Sequence, residues 1–287
     1  MNKNISDLNI AFFGSPQIAV CVLDTLKENG IIPSLIITQP DKPAGRKLKL
    51  TPPEAKVWAE KKNVSVFQPE TLKDKNVIQA ITDEGPWDIF IVVAYGKIIP
   101  RAVLGIPKHG TLNVHPSLLP KLRGASPLQS AILEENETGV SIMLVDEKMD
   151  HGPILAQEKT PIENWPPKAS ELEKMAGVQG GKMLAEIIPK WVTDNIKPQE
   201  QDHSAVTFTQ KITKQDGLID LDDDPEKNFR KIQAFDIWPR TYFFTERNGK
   251  KIRVIITNAE FTDGKLIIKK VIPEGKKETD YNIFVKS

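Results

Sequence analysis

The sequence has a single cysteine, Cys21, and four histidines, His109, His115, His151 and His203. One thiol builds neither a disulfide framework nor a cysteine zinc site, and it fits a reducing compartment. No two histidines stand four residues apart, so the helical zinc pair is missing as well and no metal is expected. Cys21 lies in an apolar, helix-like stretch, where a buried structural thiol is a better reading than a nucleophile. Long hydrophobic runs are also missing. The first apolar run, Leu8–Phe13, is too short for a signal core or a membrane span. A cytoplasmic chain with no membrane partner is the expectation. Charge of one sign is not in excess, since 39 Lys and Arg face 38 Asp and Glu. Bulk electrostatics therefore does not announce nucleic acid. The dinucleotide fingerprint G-x-G-x-x-G is absent too. After the first apolar run stands Gly14-Ser15-Pro16, which argues against NAD or FAD.

What is present reads as α/β. At 287 residues the chain can build two cores. Leu8–Phe13 is a buried-type strand, and Ile18, Val22, Leu23 and Leu26 then share one helix face, stopped by Asn29-Gly30. Ile31–Thr38 is a second strand of the same type. The cycle continues with helical 55–62, strand 64–67, helical 74–84, and strands 87–94 and 111–115. Residues 125–133 read as a helix, 140–145 and 154–162 as strands, and 168–192 as a long amphipathic helix. This predicts a Rossmann-like, mostly parallel sheet covered on both faces.

Composition shifts near Thr207. Asp224-Pro225 is a helix start, and beyond Trp238-Pro239 come short alternating runs at 241–245, 251–256 and 265–271. Asn248-Gly249 and Asp263-Gly264 between them are hairpin signals. A small antiparallel β domain of barrel type is expected over 207–287, after a first domain over 1–206. From Arg240 on there are eleven Lys and Arg against six Asp and Glu. That local basic surplus suits either a solvated surface or an anionic partner.

The chemistry concentrates at Asn113-Val114-His115-Pro116. Asn113 and His115 are two apart, so on a strand both point to one face. Pro116 ends the ladder, having no N–H to donate. The carboxyl end of a buried strand is where open α/β sheets hold ligands. An amide and an imidazole there could donate to the oxyanion of an acyl transfer, and Asp150 could orient His115. His115 could instead serve as general base. The same residues also suit a capped strand end and an acid in the turn Met149–Pro153. Ser117 lacks the setting of an elbow nucleophile, which favours direct transfer. The loop 39–53 carries Lys42, Arg46, Lys47 and Lys49, which could grip a phosphate backbone or merely be solvated. The segment Ser117–Gly124, with Arg123, offers backbone donors and apolar walls for a flat heterocycle with a charged tail.

These residues carry a resemblance. Asn113–Pro120, Arg123-Gly124-Ala125, Pro127, Thr138-Gly139-Val140 and Asp150 resemble the formyltransferases that use 10-formyltetrahydrofolate. Gln39–Arg46, Val92–Pro100 and Trp238-Pro239 are similar to the branch of that family that formylates methionyl-tRNA. The likeness spans nearly the whole chain. It implies transfer of a formyl group from the folate donor to the methionine amino group on initiator tRNA, for translation initiation. Asn113, His115 and Asp150 would be catalytic. Ser117, Leu118, Leu119 and Pro120, with Val93, Ala94, Tyr95 and Gly96, would hold the folate. Lys42, Arg46, Lys47, Lys49 and Arg123 would meet the tRNA, and the basic C-terminal β domain would hold it. No metal is implied, and a monomer is expected. A sugar-nucleotide or other small-amine N-formyltransferase is the alternative, and a non-catalytic folate- or RNA-binding chain is a third reading. The chain departs from the pattern in three places. Leu122 stands where an aromatic residue is frequent, His151 where threonine is common, and the C-terminal domain is shortened.

Overall fold

The computed structural model of the protein describes residues 7–45, 48–247 and 249–286. Arg46, Lys47 and Asn248 lie outside the described residues. In chain order the elements begin β1 Ile10–Gly14, α1 Gln17–Glu28, β2 Leu35–Ile37, β3 Lys42–Ala44, β4 Lys49–Thr51, α2 Glu54–Lys62, β5 Ser65–Phe67, α3 Lys75–Asp83 and β6 Ile89–Val93. Then come α4 Arg101–Leu104, β7 Thr111–His115, β8 Arg123–Gly124, α5 Pro127–Glu134, β9 Gly139–Leu144, β10 Ile154–Lys159 and α6 Ala169–Val192. The rest is β11 Phe208–Thr209, α7 Pro225–Ala234, β12 Tyr242–Arg247, β13 Lys250–Thr262, β14 Lys265–Pro273, β15 Thr279–Asp280 and α8 Tyr281–Lys286.

The chain forms two compact units. One takes the residues up to Ala125, Gly139–Thr160 and Glu173–Phe208; the other takes Ser126–Thr138, Pro161–Leu172 and everything from Thr209. The first unit holds a seven-stranded sheet in the order β10-β9-β7-β6-β1-β2-β5. β5, β2, β1, β6 and β7 run parallel, whereas β9 runs antiparallel to β7, and β10 antiparallel to β9. β1, β2 and β6 are almost wholly buried, which is why they read as continuous apolar runs and not as alternating ones. The strand order turns back between β1 and β6. Ligands of open α/β sheets bind at the carboxyl ends beside such a switch point.

Two packing features support that edge. Phe13 lies with its ring centroid 5.2 Å from that of Phe90 and 5.5 Å from that of Tyr95. Each such pair adds about 1 kcal/mol beyond its buried area. α6, from Glu173 onward, presses on the sheet layer through glycines. A Cβ on Gly180 would stand 2.5 Å from Val114 Cγ1, and one on Gly181 would stand 2.6 Å from Thr25 Cβ. Bare backbone there lets a helix approach the strand that carries Asn113 and His115. The N-terminus of α1, which cradles pyrophosphate in dinucleotide folds, instead receives a carboxylate: Ile18 N donates to Glu173 Oε1 at 3.2 Å.

The second unit contains the four-stranded antiparallel sheet β12-β13-β14-β15. Its core is Ile219, Ile232, Phe243, Val254, Ile256, Val271 and Phe284. Asp224 Oδ1 caps α7 by accepting from Glu226 N at 2.8 Å and Lys227 N at 3.1 Å, with Pro225 in the first turn. Asp263 and Gly264 both adopt positive φ, 51° and 72°, the pair that a tight hairpin turn requires. β13 is thirteen residues long, so it runs well past the expected 251–256. α5 also belongs to this unit. Arg230 of α7 donates to Glu135 O at 2.7 Å, just past the end of α5. The loop 39–53 likewise differs from expectation, because it contains the β3–β4 hairpin.

Candidate active site

β7 pairs with β6 on one side, Val92 against Asn113, and with β9 on the other, Asn113 against Met143 and His115 against Ser141. This puts the end of β7 inside the sheet, with neighbours on both sides. Asn113 and His115 share a face, as their spacing requires. Both reach one atom: Asn113 Nδ2 is 3.5 Å and His115 Nδ1 is 3.6 Å from Asp150 Oδ1. The other carboxylate oxygen, Oδ2, accepts from Gly124 N at 2.8 Å. So the three residues expected to act together are brought together.

His115 is 4% exposed. Its Nε2 lies 3.0 Å from Leu122 O. A carbonyl oxygen only accepts, so Nε2 carries a proton and Nδ1 is the nitrogen left toward Asp150. The orienting group of this histidine is therefore a backbone carbonyl, with Asp150 beside the other nitrogen. Leu122 presents that carbonyl from a left-handed φ of 59°.

The segment after β7 is built inward. Ser117 is fully buried and its Oγ donates to Lys121 O at 2.7 Å. Ser141 Oγ donates to Ser117 O at 2.6 Å and accepts from Leu119 N at 3.2 Å. Gln157 Nε2 donates to Leu119 O at 2.9 Å. Residues 117–120 are thus held by β9 and β10. Ser141 and Gln157 were not singled out from sequence. A polar side chain in the buried run Gly139–Leu144 was the available signal.

Val93–Gly96 continues β6 beside the same edge. Ala94 and Gly96 take positive φ, 48° and 75°. A Cβ on Gly96 would come 2.5 Å from Gln39 Nε2, the end of a flexible side chain, so it is the positive φ that calls for glycine there. Gln39 Nε2 donates to Tyr95 O at 2.7 Å. Lys42 Nζ donates to Gln39 Oε1, which ties the root of the β3–β4 hairpin to the end of β6. Asp41, at that root, is held below the usual carboxylate range by hydrogen bonds from Gln68 and Lys56. Tyr95 is 2% exposed and its hydroxyl finds no partner among the described residues. Burial pushes that phenol up to about 12.

The basic residues divide. Lys42 and Lys49 are exposed on the hairpin, while Arg46 and Lys47 lie outside the described residues. Arg123 is 3% exposed, and its guanidinium is spent on Gln201 Oε1 at 2.6 Å and His203 Nδ1 at 2.9 Å. It is an internal residue of the first unit. Among the described residues no group of three or more His, Cys, Asp or Glu side chains could hold a metal ion. Nor is any described helix long and apolar enough to cross a membrane.

The molecule is thus an α/β protein with a doubly wound sheet and an amide, an imidazole and a carboxylate converging at one strand end. The formyl transferase family model matches residues 8–188, and that of the formyl transferase C-terminal domain matches residues 211–265. The chain belongs to the formyl transferase family. It is 42% identical over 260 residues to a methionyl-tRNA formyltransferase of Chloroflexus aurantiacus, covering 90% of this chain and 82% of that one. To a methionyl-tRNA formyltransferase of Thermus thermophilus it is 37% identical over 271 residues, covering 93% and 86%. The fold is similar to that of methionyl-tRNA formyltransferase from Clostridium thermocellum, with a TM-score of 0.60 at 20% identity, over 93% of this chain and 98% of that one. It is equally similar to a sugar N-formyltransferase from Shewanella, with a TM-score of 0.62 at 15% identity, over 85% and 95%.

Proposed function

We propose that the protein moves the formyl group of 10-formyltetrahydrofolate to the amino group of methionine esterified to initiator tRNA. The observation that carries this reading is the meeting of Asn113 and His115 on one Asp150 oxygen, at 3.5 and 3.6 Å. Family membership supplies the formyl chemistry. The names of the relatives at 37–42% identity supply the acceptor.

The folate donor carries the formyl group when bound. Residues 117–120 are braced from behind by Ser141 and Gln157, which supports a fixed edge for a flat heterocycle. On this reading Val93–Gly96 and Ser117–Pro120 hold the donor. The Asn113 amide donates to the formyl oxygen as negative charge grows on it. His115 Nδ1, free to accept, takes a proton from the attacking amine. The Asp150 carboxylate then stabilises the imidazolium, with Gly124 N keeping that carboxylate in place, and the imidazolium gives its proton to the departing folate nitrogen as the bond from that nitrogen to the formyl carbon breaks. Ser117 is buried and donates to Lys121 O, so the amine attacks directly and no serine ester forms.

Lys42 and Lys49 of the hairpin, with Arg46 and Lys47 between them in the sequence, meet the tRNA, and the basic stretch from Arg240 on adds long-range attraction. Arg123, being buried, serves the site by positioning and not by touching phosphate. A monomeric cytoplasmic enzyme of translation initiation fits this reading. The test is formyl transfer from 10-formyltetrahydrofolate to methionyl-initiator tRNA, with amino-sugar nucleotides as parallel acceptors. Transfer to the tRNA is expected. Transfer to the sugar amine alone would overturn the acceptor assignment while keeping the role of the trio.

A further inference from the structure

Behind the Asp150 turn lies a layer of polar side chains that the reaction itself does not use. His151 and His203 stack with ring centroids 4.2 Å apart and planes 8° from parallel. His151 Nδ1 lies 2.7 Å from Asp146 Oδ2 and donates to it. His203 Nδ1 lies 2.9 Å from Arg123 Nη2. A guanidinium only donates, so His203 Nδ1 must accept; a ring in that role is neutral and carries its proton on Nε2. Arg123 also donates to Gln201 Oε1, from Nη2 at 2.6 Å and from Nε at 3.2 Å. With Oε1 engaged there, Gln201 Nε2 donates to Asp150 O at 3.0 Å and Gly152 O at 2.7 Å. Asp150 needs this hold, because its φ of 47° is left-handed and costs a non-glycine residue about 1 kcal/mol.

We propose that His203, backed by His151, is a positioning residue for Asp150: neutral His203 keeps Arg123 on Gln201, and Gln201 keeps the Asp150 turn. This rests on the reading that Asp150 serves His115 in formyl transfer. The charged and titratable groups around the stack are Arg123 facing His203, Asp202 beside it in the chain, Asp146 on His151, and Asp150 next to His151. A proton on His203 Nδ1 would set an N–H and a positive charge against the guanidinium, and that bond would be lost. Gln201 would then hold the turn without its anchor.

The experiment has two arms on the full chain. Imidazole nitrogen NMR of the resting protein is expected to find His203 in the Nε2–H form near pH 8. The amide resonance of Gly124, which donates to Asp150, is expected to shift in His203→Leu. In His203→Asn, whose side-chain oxygen can still accept, it should return toward its wild-type position. An Nδ1–H tautomer, or a Gly124 amide indifferent to His203, overturns the proposal. In the kinetic arm, His203→Leu is expected to lose about fivefold in kcat/KM near pH 8, the worth of one hydrogen bond, and His203→Asn to restore it. A His203→Asn variant no better than His203→Leu overturns the proposal. If no formyl reaches tRNA at all, the functional reading fails, and the NMR arm alone decides whether the clamp exists.

Discussion

His115 has its chemistry decided by a neighbour's backbone. Leu122 O holds Nε2–H at 3.0 Å, so Nδ1 is the nitrogen left to accept, 3.6 Å from Asp150 Oδ1. His115→Ala and Asp150→Ala are each expected to lower kcat by about 10²- to 10³-fold, the scale of one preorganised charge-stabilising group. Circular dichroism should stay unchanged. Near-normal rates in either variant would remove the mechanism. Tyr95 gives a stability prediction. Its hydroxyl is buried without a partner, so Tyr95→Phe should be neutral or stabilising in urea unfolding. The linkage sign follows from the raised phenol. The unfolded chain ionises near pH 10 while the folded one holds its proton to about 12. Stability should therefore fall as pH rises through that interval, and the fall should be smaller in the phenylalanine variant. The Asn113–His115 pairing was legible from a spacing of two on a strand. The role of Leu122 was not, since nothing in a leucine says where its carbonyl will point.

α6 and the β3–β4 hairpin make the case for elements. α6 shows the helix period that the sequence displays over 168–192, but its closeness to the sheet depends on glycines that weaken it as a helix. Gly181→Val would drive side-chain carbons onto Thr25 and toward Val22 O, 3.1 Å from the Cβ alone. A loss of about 2 kcal/mol is expected, read as a lower Tm by calorimetry. An unchanged Tm would mean that α6 shifts freely. In the hairpin, Leu48 and Leu50, on either side of Lys49, are 72% and 61% exposed. Lys49→Glu is expected to raise the KM for tRNA several-fold through phosphate repulsion and to leave the folate KM alone. A changed folate KM would put the hairpin at the wrong substrate. The hairpin was not legible because Pro40, Pro43 and Gly45 read as loop signals, and a three-residue strand has no visible period.

At the scale of the molecule, the near-neutral net charge conceals a basic C-terminal stretch. Affinity for tRNA should fall steeply with salt, by about tenfold or more between 50 and 200 mM if several phosphates are neutralised. A small amino-sugar acceptor should be almost indifferent to salt. A flat tRNA curve, measured by filter binding, would refute the basic surface as the contact. The two compact units interleave along the chain, with α5 in the same unit as α7. No reading of composition shows this, because α5 carries the same apolar face whichever helix covers it.

By itself the sequence determined the buried parallel strands, the caps and turns, the family, and the pairing of Asn113 with His115. These follow from local periods and local chemistry. The tertiary structure decided the antiparallel course of β9 and β10, the burial of Arg123, the tautomer of His115 and the histidine stack behind Asp150. The burial of Arg123 and the stack depend on partners far away in the chain, Gln201 being 78 residues from Arg123, and the tautomer depends on where the Leu122 carbonyl points; no local pattern encodes either.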